Sequence, residues 1–153
     1  AEIVKEKYPD AKTVFIGPCI AKRKEARYHD NVDYVMTFEE LGSIFDGFDL
    51  DVNKVEPFTM PFTSVKEAHG FAQDGGVTQA VKVFLDKANL QALKVANLNK
   101  KNIAMLKVYA KTGKCPAPFI EVMACEGGCA SGPCIRTDKN TSQKRMSAEL
   151  NKR

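Results

Sequence analysis

The sequence predicts an α/β fold, a four-stranded parallel sheet flanked by helices, in a single domain over residues 1–153. Three observations carry this. Short β-branched and aromatic runs alternate with stretches of helical periodicity, the alternation runs the length of the chain, and Gly, Pro and Asn mark the junctions. Strands separated by helices pair in parallel, because each connection must cross back over the sheet.

The elements follow in order. Residues 1–9 read as the last turns of an amphipathic helix running into Pro9, with Ile3, Val4 and Tyr8 toward a core. A chain opening in this way is expected to continue a longer one. Val14-Phe15-Ile16, with Asp10-Ala-Lys12 before it and Gly17-Pro18 after, is a buried strand. A charged helix covers 20–28 and a second strand 33–36. Thr37-Phe-Glu-Glu40 is a capping box, in which hydroxyl and carboxylate satisfy orphan N–H groups. Phe38, Leu41, Ile44, Phe45 and Phe48 then recur at helical spacing. Residues 49–74, with Pro57, Pro61 and Gly70, form a long connection, a length typical of functional loops or crossovers.

Gly75-Gly76 opens a helix whose apolar face is Val77, Ala80, Val81, Phe84 and Ala88. The third strand is Leu93–Asn97. Asn97 or Asn99 caps the next helix, Ile103, Leu106 and Ala110 face inward, and Gly113 ends it. The fourth strand is Ile120–Met123. A polar helix over 138–151, anchored by Met146 and Leu150, closes the order.

Composition excludes several classes. The hydrophobic fraction of 44% and charged fraction of 27% are those of an ordinary globular protein. A net charge of +4 with scattered lysines does not mark a nucleic-acid partner. No apolar run reaches the roughly 18 residues of a membrane helix. Five cysteines, an odd number without a secretory signal, indicate a reducing, cytoplasmic setting.

The chemistry concentrates in the cysteines. Phe119–Met123 breaks into a loop carrying Cys125, Cys129 and Cys134 among Gly127, Gly128 and Gly132. Thiolates this close, on backbone free to fold round them, suit a soft metal. Cys19 directly follows the first strand and Cys125 the last. Carboxyl ends of parallel strands share one sheet edge, where ligands gather, so the two places are expected to converge. Zinc is a rival metal, although structural zinc prefers close Cys pairs in two knuckles. Cys134 is open between a spare thiol, a substitute ligand and a ligand to a second centre. Cys115 reads as inert, and His29 and His69 as surface or loop residues. Lys22 within Lys-Arg-Lys also fits a solvated face, Met123 a core position and Gly75-Gly76 an ordinary turn.

Gly17-Pro-Cys-Ile-Ala-Lys-Arg-Lys-Glu25 resembles the second cluster-binding motif of the iron-only ([FeFe]) hydrogenases, and Glu121-Val-Met-Ala-Cys-Glu-Gly-Gly-Cys129 resembles the third. Asp33-Tyr-Val-Met-Thr37 and Gly70-Phe71 leading to Gly75-Gly-Val77 are similar as well. The resemblance implies one lobe of a hydrogenase catalytic domain, the C-terminal part of the large subunit. It implies that Cys19, Cys125 and Cys129 ligate a [4Fe-4S] cluster linked to a two-iron site, with Cys129 bridging. It also implies that Lys22 hydrogen-bonds a cyanide ligand, Glu25 orients Lys22, and Met123 packs against the two-iron site. Phe71, Gly75 and Gly76 would line the pocket. The reaction implied is reversible reduction of protons to hydrogen, with the N-terminal remainder of the polypeptide and an electron carrier such as ferredoxin as partners.

The sequence also departs from that pattern. The first motif, with its two adjacent cysteines, is absent from these residues, so the chain by itself is expected to be inactive. Gly17 stands where catalytic members carry methionine, Ala21 replaces a small hydroxyl residue, and Ser131-Gly-Pro-Cys134 replaces a Gly-Gly-Gly-Gln-Pro stretch. The alternative these departures carry is a non-catalytic iron–sulfur protein, either a hydrogen or redox sensor or a cluster-assembly relative.

Overall fold

A computed structural model of the chain describes residues 1–58 and 65–152. It divides into two compact units. One comprises 1–58 with Gly132–Arg136; the other comprises 65–131 with 137–152.

In the first unit, helix α1 (Glu2–Lys7) precedes strand β1 (Val14–Gly17), helix α2 (Ala21–Ala26), strand β2 (Tyr34–Thr37) and helix α3 (Phe38–Gly47). β1 and β2 pair in parallel, Val14 against Tyr34 through Gly17 against Thr37. Asp33 fastens their entry. Its Oδ2 accepts from the Thr13 N–H at 2.7 Å, the Thr13 hydroxyl at 2.9 Å and Lys5 Nζ at 2.7 Å. The Lys5 bond, then those from Thr13, hold this carboxyl well below the usual carboxylate range. The capping box forms as read: Glu40 N–H donates to Thr37 Oγ1, and Thr37 N–H donates to Glu40 Oε2 at 2.8 Å.

In the second unit, helix α4 (Lys66–Gly70) leads to helix α5 (Gly76–Phe84), strand β3 (Ala92–Ala96), helix α6 (Lys100–Thr112), strand β4 (Phe119–Met123), a 3-10 turn (Cys129–Ser131) and helix α7 (Lys139–Asn151). β3 and β4 pair in parallel, Ala92 against Phe119 through Ala96 against Met123. Asn99 caps α6 by accepting from the Asn102 N–H, and Gly113, at φ +65, ends it.

The expected four-stranded sheet is therefore corrected to two short two-stranded sheets, one per unit. Each strand of such a pair is an edge, so β1 is not the buried strand expected: Val14 and Ile16 are exposed. Part of the long connection is helical, as α4, while Pro61 lies outside the described residues. α5 stops at Phe84 because Asp86 turns left-handed (φ +49) and Lys87 N–H closes on the Lys82 carbonyl, which leaves Ala88 exposed beyond the helix. On α6 the more covered residues are Met105, Leu106 and Tyr109, whereas Ile103 and Ala110 are exposed. No helix among the described residues is long and apolar enough to cross a membrane.

Candidate metal centre

β4 delivers Met123, half-buried, opposite Ala96, and the chain then turns into the cysteine loop. Gly127 and Gly128 adopt φ of +84 and +76, and the Gly128 N–H closes back on the Cys125 carbonyl at 3.1 Å. Two consecutive left-handed residues favour glycine, which incurs no side-chain penalty there. Gly128 has a second reason: a Cβ there would lie 2.6 Å from the Ala72 carbonyl oxygen and 2.8 Å from the Asp74 nitrogen. The loop is thus pressed against backbone 72–74, to which the Ala130 N–H adds a bond at 2.8 Å to the Ala72 carbonyl. Cys125 is half-buried and Cys129 exposed on this frame.

Glu121 organises the other side of that frame. It sits mid-strand in β4, 3% exposed. Its carboxylate accepts from the Gly75 N–H at 2.8 Å, the Thr78 N–H at 2.9 Å and the Thr78 hydroxyl at 2.5 Å. α5 begins on Gly75, left-handed at φ +87, with no cap from its own first residue, so Glu121 caps the helix from across the unit. Gly76 is held to glycine by packing, since a Cβ there would overlap the Gly70 carbonyl at 1.8 Å. Phe71, between α4 and this turn, is half exposed. Sequence reasoning quoted Glu121 within the motif and assigned it no task. The signal was a carboxylate inside a buried-type strand run, which needs donors.

α7 holds the loop by polar groups. Gln143 Nε2 donates to the Gly127 carbonyl at 2.5 Å and to Ser131 Oγ at 2.8 Å, and the Ser142 hydroxyl donates to the Ala130 carbonyl at 2.5 Å. Gln73 Nε2 reaches Ser147 Oγ at 3.0 Å. The apolar pattern of α7 marks Met146 and Leu150, whereas its grip on the loop comes from Ser142 and Gln143.

In the first unit, Cys19 follows β1, half-buried, and its carbonyl accepts the Lys22 N–H at 3.4 Å as α2 begins. Lys22 Nζ pairs with Glu25 Oε2 at 2.6 Å and stands 5.7 Å from the Phe15 ring centroid. The Lys22 hydrogen bond lowers the Glu25 carboxyl from its ordinary range. The same Phe15 ring lies over Gly17, where a Cβ would approach it to 2.9 Å. Arg23 pairs with Glu40. Cys134 is buried, and its N–H donates at 3.2 Å to the carbonyl of Pro18, the residue before Cys19.

The predicted residues thus fall in two groups: Cys19, Lys22 and Glu25 in one unit, and Cys125, Cys129, Met123, Phe71, Gly75 and Gly76 in the other. Among the described residues, no three His, Cys, Asp or Glu side chains are gathered as a metal site within reach of one ion. None of the five cysteines is in a disulfide. The donors fit an iron–sulfur centre in kind: thiols on a doubly left-handed glycine loop and a thiol at a strand end, with no histidine among them.

The family model described as "Iron only hydrogenase large subunit, C-terminal domain" matches residues 1–133. Probable cytosolic Fe-S cluster assembly factors of Aedes aegypti and Culex quinquefasciatus are each 26% identical to this chain over 90% of its length. The chain spans 38% of the length of these curated relatives. The [FeFe]-hydrogenase structure HydA(deltaEFG) superposes with a TM-score of 0.63 at 19% identity, over 97% of this chain and 55% of that one. That likeness is one of fold. With its two motifs inside the matched residues, the chain belongs to the family of C-terminal domains of iron-only hydrogenase large subunits.

Proposed function

We propose that Cys19, Cys125 and Cys129 supply thiolates to a [4Fe-4S] cluster linked to a two-iron site, in a cytoplasmic protein that reversibly reduces protons to hydrogen. The observation that carries the reading is the Cys125–Cys129 loop, built on Gly127 and Gly128 and fixed by the protein's own hydrogen bonds at the end of β4. Such a loop presents thiolates with little reorganisation left to make. When bound, the iron centre would supply electron transfer and the cleavage or formation of the hydrogen–hydrogen bond. The chain's own groups do the rest. Lys22, oriented by Glu25, holds an ammonium available to an anionic ligand, Met123 covers an apolar flank, and Phe71, Gly75 and Gly76 line the pocket. The remainder of the polypeptide would supply the fourth cluster ligand, and a ferredoxin would exchange electrons.

A second reading is favoured by particular observations. The Phe15 ring occupies the space that a methionine at position 17 would need, and the Lys22 ammonium is already engaged by Glu25 and Phe15. The curated relatives are named as cluster assembly factors. These support a non-catalytic iron–sulfur protein, either a sensor or an assembly relative, on the same ligands.

Anaerobic reconstitution with iron and sulfide tests the shared part. The chain is expected to bind both, with Cys19→Ser, Cys125→Ser and Cys129→Ser each lowering the content and Cys115→Ser leaving it unchanged. Equal iron and sulfide in a variant lacking all three thiols would overturn the ligand assignment. Hydrogen uptake and evolution by the matured protein carrying this chain then separate the readings. Turnover supports the first, and a bound cluster without turnover supports the second.

A further inference from the structure

The family match ends at residue 133, yet the polar contacts that fix the cysteine loop from one side come from α7, residues 139–151. We infer that α7 is a clamp on this loop and that Gln143 is a positioning residue for Cys125 and Cys129, acting through the Gly127 carbonyl and the Ser131 hydroxyl. The inference rests on the thiolate-ligand reading for its purpose, but its geometry stands independently.

Three features make Gln143 suited to this. Its amide nitrogen donates twice, to Gly127 at 2.5 Å and to Ser131 at 2.8 Å, on either side of Cys129. The first anchor, Gly127, is itself one of the two residues whose left-handed conformation shapes the loop. The space is also matched to it: a Cβ at Gly127 would lie 2.8 Å from Gln143 Nε2 and 2.6 Å from Ser131 Oγ. Its oxygen faces Gln73 Nε2 at 3.5 Å, on the segment against which Gly128 rests. One residue earlier, Ser142 takes the Ala130 carbonyl, so successive side chains of one helix hold successive parts of the turn. α7 starts firmly, its N-cap Asp138 accepting from the Thr141 N–H at 2.9 Å. α7 exposes Lys144 and Arg145 and turns Ser142 and Gln143 toward the loop.

The test is site-resolved alkylation of the native apo chain by iodoacetamide, followed by peptide mass spectrometry. Gln143→Ala is expected to raise the rate at half-buried Cys125 about tenfold, while Cys129, already exposed, changes little and Cys19 and Cys115 react as before. Gln143→Glu keeps size and helix propensity but turns a carboxylate on the Gly127 carbonyl; it is expected to show the same selective rise. Lys144→Ala, a neighbour exposed on the same helix, is expected to change nothing. A rise at Cys19 and Cys115 as well would mean general loosening and would overturn a positioning role, as would an unchanged rate at Cys125. Failure of the ligand reading is read separately: no iron or sulfide bound by the wild-type chain, with the selective alkylation pattern intact.

Discussion

Removing the Glu121 carboxylate is the sharpest perturbation this structure offers. In Glu121→Ala, the Gly75 and Thr78 amides lose acceptors at 2.8 and 2.9 Å, and the Thr78 hydroxyl loses one at 2.5 Å. Each buried donor left unpaired costs about 1–3 kcal/mol. The hydroxyl can rotate to another acceptor and water can reach the part-buried Gly75 amide, so the buried Thr78 amide dominates, at about 1–3 kcal/mol. Loss of the negative charge at the start of α5 adds about 0.3–1 kcal/mol. Against a typical total of about 5–15 kcal/mol, that is a severe loss. Glu121→Gln should cost less, because its oxygen still accepts while its NH2 faces a donor. Urea unfolding of the chain measures the total, and amide hydrogen exchange at Gly75 and Thr78 measures the local part. The expected order of stability is wild type, then Gln, then Ala, with both amides exchanging faster in Ala. Glu121→Ala within about 0.5 kcal/mol of wild type, with both amides still protected, would refute the cap.

Two glycines at positive φ separate strain from crowding. Gly113→Ala, at φ +65 with nothing within 4 Å of the added Cβ, should cost about 1–2 kcal/mol of stability in urea unfolding. Gly128→Ala, at φ +76 with its Cβ 2.6 Å from the Ala72 oxygen, should cost about 2–4 kcal/mol and speed alkylation of half-buried Cys125. Equal effects at the two sites would remove the packing argument. For pH, the Thr37 N–H, then Arg23 and the Thr37 hydroxyl, lower the Glu40 carboxyl from 4.5 to about 2. A depressed folded-state pKa means stability is fully present above 4.5 and lost as pH falls through about 2. Glu40→Gln should therefore flatten the acid limb of a urea-midpoint profile in that window, and an unchanged limb would count against the pairing.

Local signals were the most legible. Thr37 and Glu40, Asn99 with Asn102, and Gly113 act within about one helical turn, so the residues that decide each helix end are neighbours in the chain. The motifs around Cys19 and Cys125 were legible as family signals for a similar reason, since each is a run of neighbouring residues. The inward face of α6 was misread because periodicity marks a stripe but not what covers it. Ile103 belongs to an apolar pattern and is nonetheless exposed.

What the sequence by itself determined is therefore the four strands, most of the helices, the thiol loop, and the family they belong to; it did not show α4 or where α5 stops. Tertiary structure alone decided that four parallel strands form two pairs rather than one sheet, because strand pairing depends on partners distant in sequence. It also decided that Glu121 caps a helix starting 45 residues before it (121 − 76) and that a polar C-terminal helix grips the cysteine loop. Hydrogen bonds between remote groups carry no periodicity. They are chosen when folding brings a buried carboxylate or carbonyl to the nearest donor, because leaving it unpaired costs more than any local preference.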